Sequence, residues 1–331
     1  MLRRTLLKTG ALAPLLLGCR PAAPTSRRTI RVAAQVYLQM SPLYLAEELG
    51  YFREEGLDVE INAVKGSSQA IPLLSSGQMD AAFYALSPAV VNAITQGARV
   101  RFVAARQLIK MDCGEYGRIF GAPAAFPQGL TSLSQLRGKR IAVSNPDGIT
   151  GFCCDAYLAS AGLTRADVSV LRLAHPQDAA AMINGQVDAM ISQGEESRLT
   201  GIANRIVLGP QLAEVLPDFA YSYIYFGQRL IDGDAGDGVR FLRAFYRGAR
   251  EFAKGRTPRF LDNYARDNNL DAAKARAVCR ANTVFNGAIQ PAQLQRFIDW
   301  CVANKHTETP AAASTLVDPR FLAGAALPSD G

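Results

Sequence analysis

Ser41-Pro42-Leu43-Tyr44-Leu45-Ala46-Glu47-Glu48-Leu49-Gly50-Tyr51-Phe52-Arg53-Glu54-Glu55-Gly56-Leu57-Asp58-Val59 reads as a helix that stops at glycine and hands over to a strand. Ser41 places a capping hydroxyl before Pro42 at the first helical position. Leu43–Phe52 is amphipathic and ends near Gly50, and Leu57–Val64 is strand-like. Thr29–Val36, just before, is another apolar strand. Downstream, Ser67–Ser75 is helical and Met79–Ala85 strand-like. Ser87-Pro88 opens the helix Ala89–Gln96, and Val100–Ala105 is strand-like again. Short apolar runs alternating with helices imply an α/β fold with mostly parallel sheets and flanking helices.

The rhythm then repeats. Leu133–Leu136 is a helical turn, and Gly138-Lys139-Arg140 leads into the strand Ile141–Ser144. Thr150–Ala161 is a helix, Val168–Leu173 a strand, Gln177–Asn184 a helix and Val187–Ser192 a strand. Gly77-Gln78-Met79-Asp80-Ala81 matches Gly185-Gln186-Val187-Asp188-Ala189 closely. Both sit where a helix ends at glycine and a strand follows aspartate. After the strand Tyr221–Phe226 the chain is mainly helical: Gly238–Ala253, Thr257–Asn268, Ala272–Ala281 and Pro291–Ala303. Such a helical tail must pack on sheets already built.

The N-terminus carries its own signal. Basic Arg3, Arg4 and Lys8 precede an apolar stretch, Ala11–Leu17, then Gly18-Cys19. This is the layout of a secretory signal peptide over residues 1–18. The apolar run is far shorter than the ~20 residues that span a bilayer. Leu16-Leu17-Gly18-Cys19 looks like the lipobox of bacterial lipoproteins, in which Cys19 is acylated and becomes the mature N-terminus. Arg3-Arg4-Thr5-Leu6-Leu7-Lys8 resembles a twin-arginine export signal. Residues 19–28 read as a Pro-containing linker from lipid anchor to folded domain. The expected location is extracytoplasmic, tethered to the membrane.

The 331-residue chain is 49% hydrophobic and 20% charged, as in globular proteins. Without Arg3, Arg4 and Lys8 the formal +7 falls to +4. The arginines are scattered, which speaks against nucleic-acid binding. Cys113, Cys153, Cys154, Cys279 and Cys301 follow Cys19, an odd set that cannot pair fully within one chain. With two histidines, His175 and His306, and no paired CxxC elements, no metal site is expected. No Gly-rich phosphate loop is present, and no cofactor is expected.

The chain resembles a periplasmic substrate-binding protein of an ABC importer, of the nitrate, sulfonate/taurine and thiamine-pyrimidine type. Residues 41–59 carry the family's P-x-x-x-A-x-x-x-G-x-F-x-x-x-G-L-x-V opening. Residues 77–81 match its G-x-x-D element, Leu136–Val143 its L-x-G-K-x-I-A-V element, and Val317-Asp318-Pro319-Arg320-Phe321 its V-D-x-x-F element. The resemblance implies two α/β lobes of the type II periplasmic-binding-protein fold, joined by two hinge crossings near Gly114–Gly121 and Pro217–Tyr223. Lobe one is then residues 29–117 plus 222–331, and lobe two 118–221. It also implies a monomer that clamps one small solute and delivers it to a permease and ATPase complex.

In open α/β sheets ligands gather beyond the C-terminal ends of the strands. That rule selects Tyr37, Gln39, Ser41, Gly66, Ser67, Ser68, Ser87 and Arg106 in one lobe. In the other it selects Asn145, Thr150, Gly151, Phe152, His175, Gln193 and Glu195, with Tyr221 at the second crossing. Ser41, Ser67/Ser68, Ser87 and Thr150 stand at helix starts, where unpaired N–H groups suit a carboxylate, sulfonate, phosphate or carbonyl. Each serine taken singly is equally a local cap. Tyr37, Tyr84, Phe152 and Tyr221 are candidates to stack on a ligand body, though core burial is the commoner role for Tyr84 and Phe152. Arg106 is a candidate anion partner or a solvated arginine. His175, Asp147 and Glu195 would suit a ligand of mixed polarity.

Two other classes compete with solute capture. Eukaryotic thiamine-pyrimidine synthases share the fold but carry a CCCFC run, whereas the corresponding stretch here is Phe219-Ala220-Tyr221-Ser222-Tyr223. No nucleophile–base pair stands out, so a non-enzyme is expected. A tethered sensor or scaffold would bind a protein and no solute.

Overall fold

The computed structural model describes residues 27–111, 117–173, 177–192, 206–276, 280, 282–284, 286–307 and 309–327. Among the described residues ten strands form two five-stranded sheets. The first holds β1 (Arg28–Ala34), β2 (Leu57–Ala63), β3 (Ala81–Ala85), β4 (Arg101–Leu108) and β10 (Ala220–Phe226). The second holds β5 (Arg118–Gly121), β6 (Arg140–Val143), β7 (Ser169–Arg172), β8 (Ala189–Ser192) and β9 (Val207–Gln211). Their orders, β2-β1-β3-β10-β4 and β7-β6-β8-β5-β9, are the same pattern used twice. In each sheet the fourth strand in order runs antiparallel to both neighbours. The sheets are therefore mixed and mostly parallel, as expected, with that one strand reversed in each.

The reversed strands are where the chain changes sheets. β4 leads across to β5, and β9 leads back to β10. The crossing segments hold each other: Ile109 N–H donates to Phe219 O at 2.9 Å, and Asp218 N–H donates to Ile109 O at 3.0 Å. Strand β5 begins within the stretch expected as the first crossing, and β10 begins before Tyr221 within the second. Likewise β1 starts at Arg28, inside the expected linker. Strand β10 is buried along its whole length, as a central strand covered on both faces must be.

Helices cover the sheets. The first unit carries α1 (Ser41–Glu48), α2 (Tyr51–Glu54), α3 (Ser67–Ser75) and α4 (Pro88–Thr95). The second carries α5 (Ile149–Ser160) and α6 (Gln177–Ile183). The C-terminal part adds α7 (Gln228–Ile231), α8 (Ala235–Ala253), α9 (Arg259–Asp267), α10 (Ala272–Arg276), α11 (Pro291–Ala303), α12 (Ala313–Leu316) and α13 (Arg320–Ala325). Helix α8 is capped by Asp234, whose carboxylate accepts from Gly236 N–H at 2.8 Å. It buries Phe241, Phe245 and Tyr246, and the Phe241 and Phe245 rings meet Phe83 of β3. The tail returns to the first sheet, where Val317 bridges Phe102 of β4. Among the described residues no helix is long and apolar enough to cross a membrane.

The repeated Gly-x-x-Asp element is a strand clamp. Asp80 Oδ2 accepts from Arg31 N–H at 2.8 Å and from its Nε at 3.4 Å, while Arg31 Nη2 donates to Gly77 O at 2.7 Å. Asp188 Oδ2 accepts from Arg140 N–H at 2.8 Å and Nε at 3.1 Å, and Arg140 Nη2 donates to Gly185 O at 2.9 Å. Gly77 and Gly185 take left-handed φ of 72° and 69°, which turns each carbonyl toward its arginine. Arg140's hydrogen bonds hold the Asp188 carboxyl below the usual carboxylate range.

The Asp80 side chain is fully buried. Asp80→Ala is expected to cost about 3 kcal/mol of unfolding free energy, because it strands a partly buried guanidinium and a backbone N–H. Asp188→Ala, in a more exposed clamp, is expected to cost about 1 kcal/mol. Because the Asp188 pKa is depressed on folding, its contribution is present above the ordinary aspartate range and is lost as pH falls through the lowered value. Urea titrations of both variants at neutral and acidic pH check the order and the sign.

Candidate functional site

Beyond β1, β2 and β3, the first lobe's turns are tied to one another. Val64 N–H donates to Ala34 O at 3.0 Å, the Gln35 amide donates to Lys65 O at 2.5 Å, and Tyr84 OH donates to Val64 O at 2.9 Å. Tyr37 follows in extended backbone (φ −134°, ψ 160°) and is 45% exposed, with Val36 beside it at 44%. Gly66 stands in the capping position of α3, in extended backbone, and Ser67 is the first helical residue. Ser87 caps α4 with Pro88 behind it, as expected, but its hydroxyl makes no bond within its own helix. Instead Ser67 Oγ and Ser87 Oγ lie 2.9 Å apart. Two helix starts thus converge, although at α4 Pro88 has no N–H and Val90 N–H donates to Ser87 O at 3.2 Å, which leaves Ala89 as that helix's first N–H without an intrahelical acceptor. Ser68, one residue on, is exposed.

Arg106 lies below these turns. It is 5% exposed, so it is not the solvated arginine the sequence left open. Its Nε and Nη2 donate to Ser222 Oγ at 3.1 and 2.6 Å, and its Nη1 donates to Gln39 O at 2.8 Å. Ser222 Oγ in turn donates to Tyr84 O at 3.2 Å. One guanidinium thus joins β4, the returning strand β10, and the turn that carries Gln39 and Tyr37.

Three expected contacts have other occupations. Ser41 is the first residue of α1, with Met40 in the capping position. Its hydroxyl is fully buried and donates to Leu38 O at 2.5 Å, because a short 3-10 turn, Leu38–Met40, precedes the helix. Phe152 is 6% exposed and packs on Phe219, Phe297 and Trp300, so it is core. Tyr221 is also buried, and its hydroxyl accepts from the Asn282 amide at 3.4 Å.

In the second lobe the loop from β6 into α5 folds on itself. Thr150 Oγ1 accepts from Asn145 N–H at 2.9 Å and donates to Asn145 O at 3.0 Å, so this buried hydroxyl fixes the loop. Gly151 is required by contact: a Cβ there would lie 1.9 Å from Pro146 O. Asn145 is exposed, and its Oδ1 accepts from Arg172 Nη1 at 3.0 Å, while Asp147 pairs with Arg172 Nη2. Arg172 ends β7, where the strand-end rule points, although the sequence reading did not select it. His175, Gln193, Glu195, Cys19, Cys113 and Cys279 lie outside the described residues.

A cavity of about 580 Å³, lined by Arg27, Arg28, Thr29, Arg31, Glu60 and Arg229, lies at the opposite, N-terminal end of β1. Its four arginines face Asp58, Asp237 and Asp80, with Asp80 shared by two of them. It is an ion-pair network distant from the strand ends. Among the described residues no group of His, Cys, Asp and Glu is placed to hold a metal ion.

The sequence profile of the family described as NMT1/THI5 like matches residues 38–255. The chain belongs to this family. Solved structures share its two-lobed periplasmic-binding-protein fold. The alkanesulfonate-binding protein SsuA from Xanthomonas axonopodis pv. citri, bound to MOPS, aligns with TM-score 0.67 and 17% identity over 89% of this chain and 99% of its own. The periplasmic nitrate-binding protein NrtA from Synechocystis PCC 6803 aligns with TM-score 0.65 and 14% identity over 89% and 87%. A cysteine-to-serine mutant of DszB in complex with biphenyl-2-sulfinic acid aligns with TM-score 0.61 and 15% identity over 90% and 99%. No curated protein matches the chain.

Gly151→Ala tests the loop geometry in this NMT1/THI5-like protein. The added methyl must displace Pro146, at an expected cost of about 2 kcal/mol in unfolding free energy. A thermal melt at unchanged midpoint would show that the loop has room.

Proposed function

We propose that this protein is an extracytoplasmic solute-binding lipoprotein of an ABC importer that clamps a small organic anion between its lobes. The observation that carries the reading is the Ser67–Ser87 contact, which brings the positive ends of two helices together beyond the strand ends. Buried Arg106 adds a fixed cation below, and exposed Val36 and Tyr37 offer apolar surface beside it. That pairing suits an acid head, such as a sulfonate or carboxylate, on an apolar body better than it suits a bare inorganic ion. Tyr37, Gly66, Ser67, Ser68 and Ser87 form the first-lobe side. Asn145 and Arg172 form the other, to which the strand-end rule also assigns His175, Gln193 and Glu195. Residues 29–117 with 222–331 and residues 118–221 are the moving bodies, and the paired crossings at Ile109 and Phe219 are the hinge. Cys19 carries the lipid, and a permease with its ATPase receives the solute.

The DszB likeness raises an enzyme as the second reading. The described cysteines do not favour it. Cys153, Cys154 and Cys301 are buried, and burial pushes the Cys154 and Cys301 thiols up to about 12. A nucleophile must be a thiolate at working pH.

Thermal shift against aliphatic and aromatic sulfonates, nitrate, pyrimidines and short carboxylates tests the proposal. One solute class is expected to raise the midpoint in proportion to the logarithm of its concentration. Ser87→Ala and Tyr37→Ala are each expected to weaken that solute about tenfold, equivalent to roughly 1.4 kcal/mol. Flat melting curves across the panel, with turnover of any compound, would favour the enzyme.

A further inference from the structure

Trp300 is the chain's only tryptophan, and it stands between the lobes. It lies on α11, which packs on both α4 of the first lobe and α5 of the second. Its indole N–H donates to Asp155 Oδ2 on α5 at 2.8 Å. Asp155 Oδ1 accepts from Arg165 Nε at 2.7 Å, and Arg165 Nη2 donates to Pro146 O at 2.8 Å. Pro146 belongs to the loop that leads into α5 and carries Asn145. On the other side, the Trp300 ring neighbours the His306 ring at 4.9 Å, and His306 O accepts from the Asn92 amide of α4 at 2.9 Å. The start of α11 is held to the returning strand, since Ala220 N–H donates to the Gln293 side chain at 3.1 Å.

We propose that Arg165, Asp155 and Trp300 form an interlobe strut that sets the separation of the two lobes and positions the Asn145–Gly148 loop. Each end of the strut meets a helix that begins at the candidate site, α4 at Ser87 and α5 at Gly148. Apolar packing of Phe152 on Phe297 and Trp300 would hold α5 against α11 in many rotations, because it is non-directional. The hydrogen bonds are directional, and a carboxylate accepting from both an indole and a guanidinium selects one rotation. Asp155 is thus a positioning residue that does not touch solute. Breaking it shifts the population toward wider lobe spacing. The inference uses the two-lobe clamp described above, but its readout needs no solute. A failure of solute binding appears separately, as flat melts of the wild-type protein.

The test compares the solute-free wild-type protein with Asp155→Asn, Arg165→Gln and Trp300→Phe. Asp155→Asn keeps the shape of the side chain, and Trp300→Phe keeps an aromatic ring on Phe152. All three are expected to raise the radius of gyration measured by small-angle X-ray scattering. The double variant Asp155→Asn/Trp300→Phe is expected to rise no further than the larger single. Acrylamide quenching of Trp300 is expected to rise roughly twofold in Arg165→Gln, although Arg165 lies one residue away from the indole along the strut. Unchanged scattering and quenching in Asp155→Asn and Arg165→Gln, with only a lower melting midpoint, would reduce the three residues to local packing and overturn the proposal. Additive rises in the double variant would overturn it as well.

Discussion

The carboxylate that reaches across from the start of one parallel strand to its neighbour, from β3 to β1 and from β8 to β6, is the constraint on which the architecture depends. Asp80 and Asp188 each accept from the backbone and the guanidinium of an arginine on the neighbouring strand, Arg31 on β1 and Arg140 on β6. That fixes the register between β1 and β3, and between β6 and β8. A one-residue slip would turn every buried side chain of these strands toward the opposite face. With the N-terminal ends locked, the C-terminal ends and their turns occupy defined places. The candidate site is built from those turns.

The same order in both sheets has a mechanical consequence. The reversed fourth strand is supplied by the chain as it crosses, β10 for the first sheet and β5 for the second. Each crossing therefore ends in the interior of a sheet and not at a loose edge. The joint between the lobes pairs the segment after β4 with the turn before β10, in which Asp218 takes a left-handed φ of 53°, through two backbone hydrogen bonds at Ile109. Arg106 and Ser222 sit where β4 and β10 leave this joint, and Arg106 also holds the Gln39 carbonyl. One guanidinium thus ties the crossing strands to the turn bearing Tyr37.

Much of this was legible in the sequence, for physical reasons. Pro291–Ala303 is legible to the residue because proline at the first helical position and the apolar period agree, and Ser67–Ser75 is legible from its apolar period although Pro72 lies inside it. The Gly-x-x-Asp repeat was seen, but its arginine partners were not. Arg31-Val32-Ala33-Ala34 and Arg140-Ile141-Ala142-Val143 look like ordinary strand starts until the fold brings them beside the aspartates. Strands β5 and β9 were missed because Arg118–Gly121 and Val207–Gln211 are short and include glycine or proline. Ser41 was misread because a preceding 3-10 turn moves the cap back one residue, an event with no composition signal. At the site, the strand-end rule located the turns but could not tell a hydroxyl that faces its neighbour helix from one that ties down its own loop. Ser87, at the cap of α4, faces the neighbouring helix, and Thr150, inside α5, ties down its own loop.

That distinction bears on what kind of ligand the protein can hold. Polar groups that are spent on the scaffold, such as Thr150 and Ser41, rigidify the walls. Those at the helix starts keep their orientation without depending on long flexible side chains. An anion placed there would meet fixed dipoles, and little conformational entropy is lost on binding because the donors are already ordered. Arg106 contributes in the same way. Its guanidinium is held by Ser222 and Gln39 before any solute arrives, so its field acts without a rotamer search. A site of this kind gains selectivity from geometry and strength from preorganisation.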